Sequence, residues 1–429
     1  MGTPLLDVIE MVGNVTKVEE ALASRGIVVA QNQLTGRPMV SVKGSELLLL
    51  DDNFRIALQG LLKQMLKLGH ASDINRDINL VAVKGGYHPV RDYLNRLTWD
   101  GKPRIDTWLC DYMQARDTPL FRAQGALFLI GAVKRVREPG CKFDYCLVLV
   151  GKEGINKSSS LAALVPNRKW FSDSLPLGQD PKQTVEKTEG IWICESAELV
   201  GNSPTKIAEI KAFLSRQEDG PYRAAWGVES SVRPRQFVSV ATNNDPVFLN
   251  SMTGNRRFWP IRVWQCDVER LEADRDQLWA EADRRLKDGA STLLPEELWD
   301  QAGDEQENFR VFEPWEDVLA DLPMSISVNE LYARLSIPID RRSPKDASRL
   351  SGVMTKLGYT RERRSEGGKR STFYRKLTPF DEEMFDYSSK NAPDPEVDVD
   401  EEEIEHDLEQ QYIDRIAKIE ADLVEGGGE

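Results

Sequence analysis

The middle third of the sequence predicts an α/β fold: a mostly parallel sheet covered by helices, with helices before it and a small mixed unit after it. Three observations carry the prediction. Apolar runs of strand length occur at 143–151 (FDYCLVLVG), 191–199 (IWICESAEL), 235–244 (RQFVSVATNN) and 257–264 (RFWPIRVW). Helical stretches separate them, as expected of strands buried on both faces. The first run ends in a glycine turn and the next two in polar residues, which places chemistry at the carboxyl ends of the strands.

The elements follow in order. Val18 to Ala23 is an amphipathic helix. Ile27 to Leu50 is a hairpin turning near Thr35-Gly36-Arg37, and Asn53 to Leu68 is a second helix. HPVRDYLNRL and RIDTWLCDYM are helical, parted by a turn at Trp99–Pro103. A further helix runs from Pro119 to Val136 and stops before Pro139-Gly140. Within the sheet region SSSLAALV begins a helix, and Pro204 to Arg216 is another. Val268 to Leu286 is a helical lid. Residues 324–378 form a separate unit, followed by a tail, and no internal repeat occurs.

At 429 residues the chain suits two to four units. It has no apolar run of 18 residues, so no membrane partner is expected. The start, MGTPLLDVIEMVGNV, lacks a basic segment and a signal-peptide core. Five scattered cysteines and three histidines give no zinc spacing and suit a reducing, cytoplasmic setting. The formal charge of −14 resides in the tail: residues 381–429 hold 19 acidic and 3 basic side chains, leaving 51 acidic and 53 basic elsewhere. Local basic clusters can therefore still attract nucleic acid.

Four motifs carry chemistry. The first is Gly151-Lys-Glu-Gly154-Ile155-Asn156-Lys157-Ser158-Ser159. A strand, a tight turn with inward N–H groups, a lysine for β/γ-phosphates and a hydroxyl for Mg²⁺ make a P-loop, which implies ATP and Mg²⁺. Asn156 stands where the usual second glycine would, and asparagine is the best non-glycine residue at positive φ. The ordinary reading is a serine-capped helix. The second motif places Glu195 and Glu198 at a strand end, where acids hold Mg²⁺ and polarise water; Glu195 is favoured for metal and water, Glu198 for support. In the third, Thr242-Asn243-Asn244 ends a strand, and Asn243 can sense the γ-phosphate. The fourth, Gly254-Asn-Arg256-Arg257, offers an arginine finger for a neighbouring subunit; Arg257 is preferred because it abuts the strand. Each alone has a plain reading as solvated turn chemistry. Their order within 151–257 makes chance co-occurrence unattractive.

With those motifs in place the chain resembles the virulence-associated protein E-like family, P-loop ATPases of phages and mobile elements similar to superfamily 3 helicases of the AAA+ class. The residues carrying the resemblance are YHPVRDYLNRLTWDGKPRIDTWL (87–109), PGCKFDYCLVLVGKEGINKS (139–158), WFSDSLP (170–176), GIWICESAEL (190–199), IKAFLSRQEDGPYR (210–223), RPRQFVSVATNN (233–244) and TGNRRFWPIRV (253–263). It implies ATP hydrolysis at subunit interfaces of a ring, commonly six subunits, and movement on single-stranded or forked DNA in a bacterial host. Relatives are often fused to a primase; residues 1–86 are too short for one, so a separate primase or polymerase is an expected partner. In superfamily 3 rings the insertion between the acidic and polar strands is a pore hairpin, which makes Lys211, Arg216, Arg223, Trp226, Arg233 and Arg235 candidate DNA contacts.

The expected domains are an α+β region of unknown role (1–86), a helical collar-like segment (87–140), the P-loop core (141–265), the lid (266–320), a winged helix (321–378) and an acidic, partly disordered tail (379–429). The winged helix rests on VNELYARL, a capped helix opening at Ser343-Pro-Lys-Asp346, and two strands tipped by Gly367-Gly368. Arg364, Lys369 and Arg370 are its candidate nucleic-acid contacts. The leading expectation is a replicative helicase or translocase. The alternatives are a non-helicase assembly, regulatory or defence protein that binds ATP and DNA, and a translocase on duplex DNA.

Overall fold

The computed structural model describes residues 13–66, 70–174, 181–197, 204–222, 230–245, 247–249, 255–366 and 369–378. Its contacts divide the chain between Phe312 and Glu313 into two compact units.

The first unit opens with α1 (Gly13–Ala23), a sheet of β1 (Ile27–Asn32), β2 (Arg37–Val42) and β3 (Leu48–Leu49), and helices α2 (Asp52–Leu66) and α3 (Ala71–Lys84). The strands lie in antiparallel order β1-β2-β3, with Ile27 opposite Val42 and Asn32 opposite Arg37. Val18, Leu22, Val29, Val40, Leu62 and Ile78 close a small core of their own. Helix α3 was absent from the sequence reading, although Ile74, Ile78 and Val81 recur at helical spacing and are buried.

Three helices precede the large sheet: α4 (Pro89–Arg96), α5 (Trp108–Met113) and α6 (Pro119–Arg137). The Thr118 hydroxyl accepts from Phe121 N–H, and Pro119 occupies the first turn, so α6 starts where its sequence says it should. Helix α6 is apolar almost all round because it lies in the core. A Cβ on Gly131 would sit 2.2 Å from Phe143 Cε2, so the bare backbone is what lets this helix approach.

The large sheet is built from β4 (Cys146–Val150), α7 (Lys157–Ala163), β5 (Phe171–Ser172), α8 (Pro181–Lys187), β6 (Ile193–Ala197), α9 (Pro204–Ser215), a hairpin of β7 (Glu218–Tyr222) and β8 (Ser231–Pro234), then β9 (Val238–Asn243) and β10 (Phe258–Arg262). Its order is β10-β4-β9-β6-β5, and every pairing is parallel. Every residue of β4 and β9 is buried, as a covered parallel sheet requires. Leu147, Leu149, Val240 and Ile261 face the helical layer of α6, α7 and α10 (Val268–Lys287). Cys146, Val148 and Ala241 pack with Ile210 and Leu214 of α9. Helix α11 (Trp299–Glu307) completes this unit. The expected mostly parallel sheet is present, with one more strand than the sequence suggested. Val150 lies opposite Asn243, and Ala197 opposite Thr242, so β4, β6 and β9 all end at one edge.

The second unit holds α12 (Pro314–Val318), β11 (Ser325–Ser327), α13 (Val328–Arg334), α14 (Pro344–Lys356), β12 (Tyr359–Glu366) and β13 (Lys369–Lys376), with antiparallel sheet order β11-β13-β12. Capping boxes at Ser327/Glu330 and Ser343/Asp346 set the starts of α13 and α14. Helix α12 joins this unit through Arg349, which pairs with Glu313 and lies over Trp315. Among the described residues no helix is long and apolar enough to cross a membrane.

Candidate functional site

The turn after β4 is where the sequence motif and the sheet edge coincide. Gly151 N–H donates to Asn243 O at 3.1 Å, tying the turn to β9. A Cβ on Gly151 would lie 2.5 Å from Val263 O, so a side chain is excluded there by the strand on the other side. Gly154 and Asn156 both take the left-handed region, at φ 80° and 66°. Asn156 therefore does the conformational work of the missing glycine, as its small polar side chain permits.

Helix α7 begins at Lys157, and its buried ammonium turns back into the turn. It donates to Gly151 O at 2.8 Å, Lys152 O at 2.7 Å and Asn244 Oδ1 at 2.8 Å. Burial pushes its pKa below the usual lysine value. Three oxygen acceptors around one ammonium make a site whose own atoms mimic an oxyanion's oxygens.

Glu195 is fully buried on β6. Its Oε1 accepts from Ser158 Oγ at 2.7 Å and Thr242 Oγ1 at 2.6 Å, while Oε2 has no hydrogen-bond partner among the described residues. A buried carboxylate oxygen without a partner is costly, and a bound cation or water is the usual remedy. Beside it opens a cavity of about 500 Å³ lined by Ser158, Ser159, Asp173, Glu195, Glu272 and Arg275. Among the described residues no group of three or more His, Cys, Asp or Glu is arranged so that it could hold a metal ion. Mg²⁺ needs no such cluster: it binds through one or two carboxylates together with substrate phosphates. Ser158 and the open oxygen of Glu195 fit that donor set.

These residues fall inside a longer match. The virulence-associated protein E-like domain matches residues 94–311. The chain belongs to the virulence-associated protein E-like family. Two solved structures of the apo C-terminal region of NrS-1 are similar at 10% and 11% identity. They cover 84% and 85% of this chain and 99% and 100% of their own, with TM-scores of 0.45 and 0.43. No curated protein matches.

In this virulence-associated protein E-like chain, Gly151, Gly154, Ile155, Asn156, Lys157, Ser158, Ser159, Glu195 and Asn243 gather at one sheet edge. Sequence reasoning passed over Thr242 and Asn244 as site residues. Asn243 is buried, and its amide donates to Asp245 O at 2.8 Å, whereas Asn244 reaches Lys157 directly. The alternation of side chains at the end of β9 was the available signal. Glu198 lies outside the described residues.

The two arginines separate. Arg257 is tied within its own chain, donating to Ser215 Oγ at 2.9 Å and pairing with Asp144 at 3.5 Å. Arg257, the residue the sequence favoured for reaching a neighbour, is thus engaged within its own chain. Arg256 is exposed, has no hydrogen bond or ion pair among the described residues, and lines a cavity of about 390 Å³ with Tyr145, Leu293, Leu294 and Trp299.

Of the expected nucleic-acid contacts, Arg235 is engaged inside the fold. It is 3% exposed, pairs with Asp219 at 2.6 Å, donates to Phe213 O at 2.5 Å and lies over the Phe213 and Phe237 rings. It fastens the base of the β7–β8 hairpin to α9 and has no face left for a phosphate. Arg235→Met is expected to lower unfolding stability by about 3 kcal/mol, because Asp219 would stay buried without its partner. Urea denaturation checks this; an unchanged midpoint would contradict it.

Lys211 is half-buried on α9, its pKa pushed down to about 8 by burial and by the charge of Arg257. Arg216 is exposed at the end of α9, with its guanidinium 5.9 Å from the Phe213 ring. Arg233 donates to Leu34 O. Arg223 and Trp226 lie outside the described residues. In the second unit Arg364 pairs with Glu362 at 2.8 Å. Lys369 and Arg370 belong to β13, and their side chains lie outside the described residues.

Proposed function

We propose that the chain is an ATP-dependent DNA helicase or translocase serving replication of a phage or mobile element, and that it works as a ring of six copies. One observation carries the nucleotide site: Lys157 Nζ is held by three oxygens of the turn beside a buried Glu195 whose second oxygen is open. Phosphate oxygens of ATP are the natural replacements for those of Gly151, Lys152 and Asn244 around the ammonium. Ser158 and Glu195 are the residues that would hold an accompanying Mg²⁺, whose charge would offset that of the phosphates.

The protein's own groups then divide the work. The loop amides and Lys157 orient the triphosphate. Glu195 positions and deprotonates the attacking water, held in place by the Ser158 and Thr242 hydroxyls. Asn244 links the end of β9 to Lys157, so β9 responds to what occupies the turn. Arg256 of the next copy supplies the positive charge in trans, since it is exposed and Arg257 is engaged at home. Exposed Leu293 and Trp299 beside it suit burial against that copy.

DNA contact is assigned to Arg223 and Trp226, in the sequence between β7 and β8, and to the second unit. There two capped helices and a β11-β13-β12 sheet have the make-up of a winged helix, with Arg361 and Arg363 exposed on β12. A forked DNA duplex, Mg²⁺ and ATP provide the test: ATP-dependent strand separation is expected. Turnover without strand separation on a fork would overturn the helicase assignment and favour an assembly or regulatory role.

A further inference from the structure

The segment that follows β10 crosses the outer side of the same turn. Val263 N–H donates to Val150 O at 2.8 Å, and the Val263 carbonyl packs against Gly151. Trp264 N–H donates to Met113 O at 3.3 Å, and Asp267 N–H to Tyr112 O at 2.8 Å. Cys266 is buried in the main core. Residues 263–267 thus form a short arch fixed at both ends. On that arch Trp264 is left 60% exposed.

Sheet order gives this position a meaning. The turn after β4 has β9 and then β6 on one side and β10 on the other. Glu195 and Thr242, the groups suited to the terminal phosphate and its metal, all belong to the β9–β6 side. Gly151 and the arch belong to the β10 side. A triphosphate running along the turn with its last phosphate beside Glu195 sends its nucleoside end toward β10, where the arch lies.

Resting on the triphosphate reading of the turn, we propose that Trp264 is the platform on which the nucleobase stacks, and that the site takes a purine nucleoside triphosphate. A rigid backbone with an uncovered aromatic face loses little entropy on binding a flat ring, and the larger purine covers more of the indole. The residue is distinct from the phosphate-holding group: its removal affects the base end of the ligand and leaves the phosphate end alone.

Two ligands separate these ends: ATP, and inorganic tripolyphosphate, which has phosphates and no base. In titration calorimetry on the full chain with Mg²⁺, Trp264→Ala is expected to weaken ATP about 10-fold, the scale of one base stacked on an aromatic side chain. Trp264→Phe restores most of that affinity, and tripolyphosphate binding stays at the parent value in both variants. Unchanged ATP affinity in Trp264→Ala overturns the proposal. So does an equal loss for ATP and tripolyphosphate, which marks a structural role for the indole. A parent protein that binds neither ligand overturns the triphosphate reading beneath it.

Discussion

Replacing Arg256 with alanine is expected to lower ATP turnover about 10³-fold while changing nucleotide affinity by no more than about 2-fold. The expectation follows from the contrast between two neighbouring side chains on one 3₁₀ turn (Asn255–Arg257). Arg257 is folded back onto Ser215 and Asp144, so moving it to another subunit's phosphate would break a hydrogen bond and an ion pair. Arg256 has neither tie among the described residues and stands beside exposed Leu293 and Trp299. Arg257→Ala loosens the hold of the turn on α9 and is expected to reduce turnover far less. Mixing Arg256→Ala protein with Lys157→Ala protein adds a direct check. If the two residues act on one site from different subunits, mixed rings contain some complete sites and recover part of the activity. Turnover that survives intact in Arg256→Ala would remove this residue from the chemistry.

Lys157→Ala is expected to lower turnover by about 10²- to 10³-fold and to weaken binding of both ATP and tripolyphosphate. Its ammonium is buried and already holds three oxygens, so pre-organisation is complete before any ligand arrives. The variant should still fold, because the three acceptors include two main-chain carbonyls at a turn that water can reach. Steady-state hydrolysis with thermal unfolding as a control measures both. Undiminished hydrolysis would place the reaction elsewhere.

Much of this architecture is legible in the sequence because buried parallel strands write continuous apolar runs. CLVLV, VSVAT and the stretch into Trp259 are visible for that reason, and so is the glycine turn after the first. Strand β5 was not visible, because two residues carry no period. Helix α3 escaped because its polar residues outnumber the four buried apolar ones, Ile74, Ile78, Val81 and Ala82. Asn156 was correctly placed at positive φ, a local property of one side chain. The partners of several candidate residues were hidden for a different reason. Whether Arg235 meets a phosphate or Asp219, and whether Arg257 reaches outward or back to Ser215, is decided by partners 16 and 42 positions away. Asn244 rather than Asn243 touches Lys157 because of where β9 ends, a detail of pleat and register. Residue type marked where the candidate site lies; tertiary packing decides which of two adjacent like residues is engaged within the fold and which is left exposed.

The central claim is tested most directly by a structure of the full chain with Mg²⁺ and a slowly hydrolysed ATP analogue. The account predicts the triphosphate lying along residues 151–158, with Lys157 Nζ released from the Gly151 and Lys152 carbonyls onto phosphate oxygens and the Glu195 side chain beside the metal. A particle in which the analogue binds elsewhere, while Lys157 keeps all three of its present partners, would contradict it.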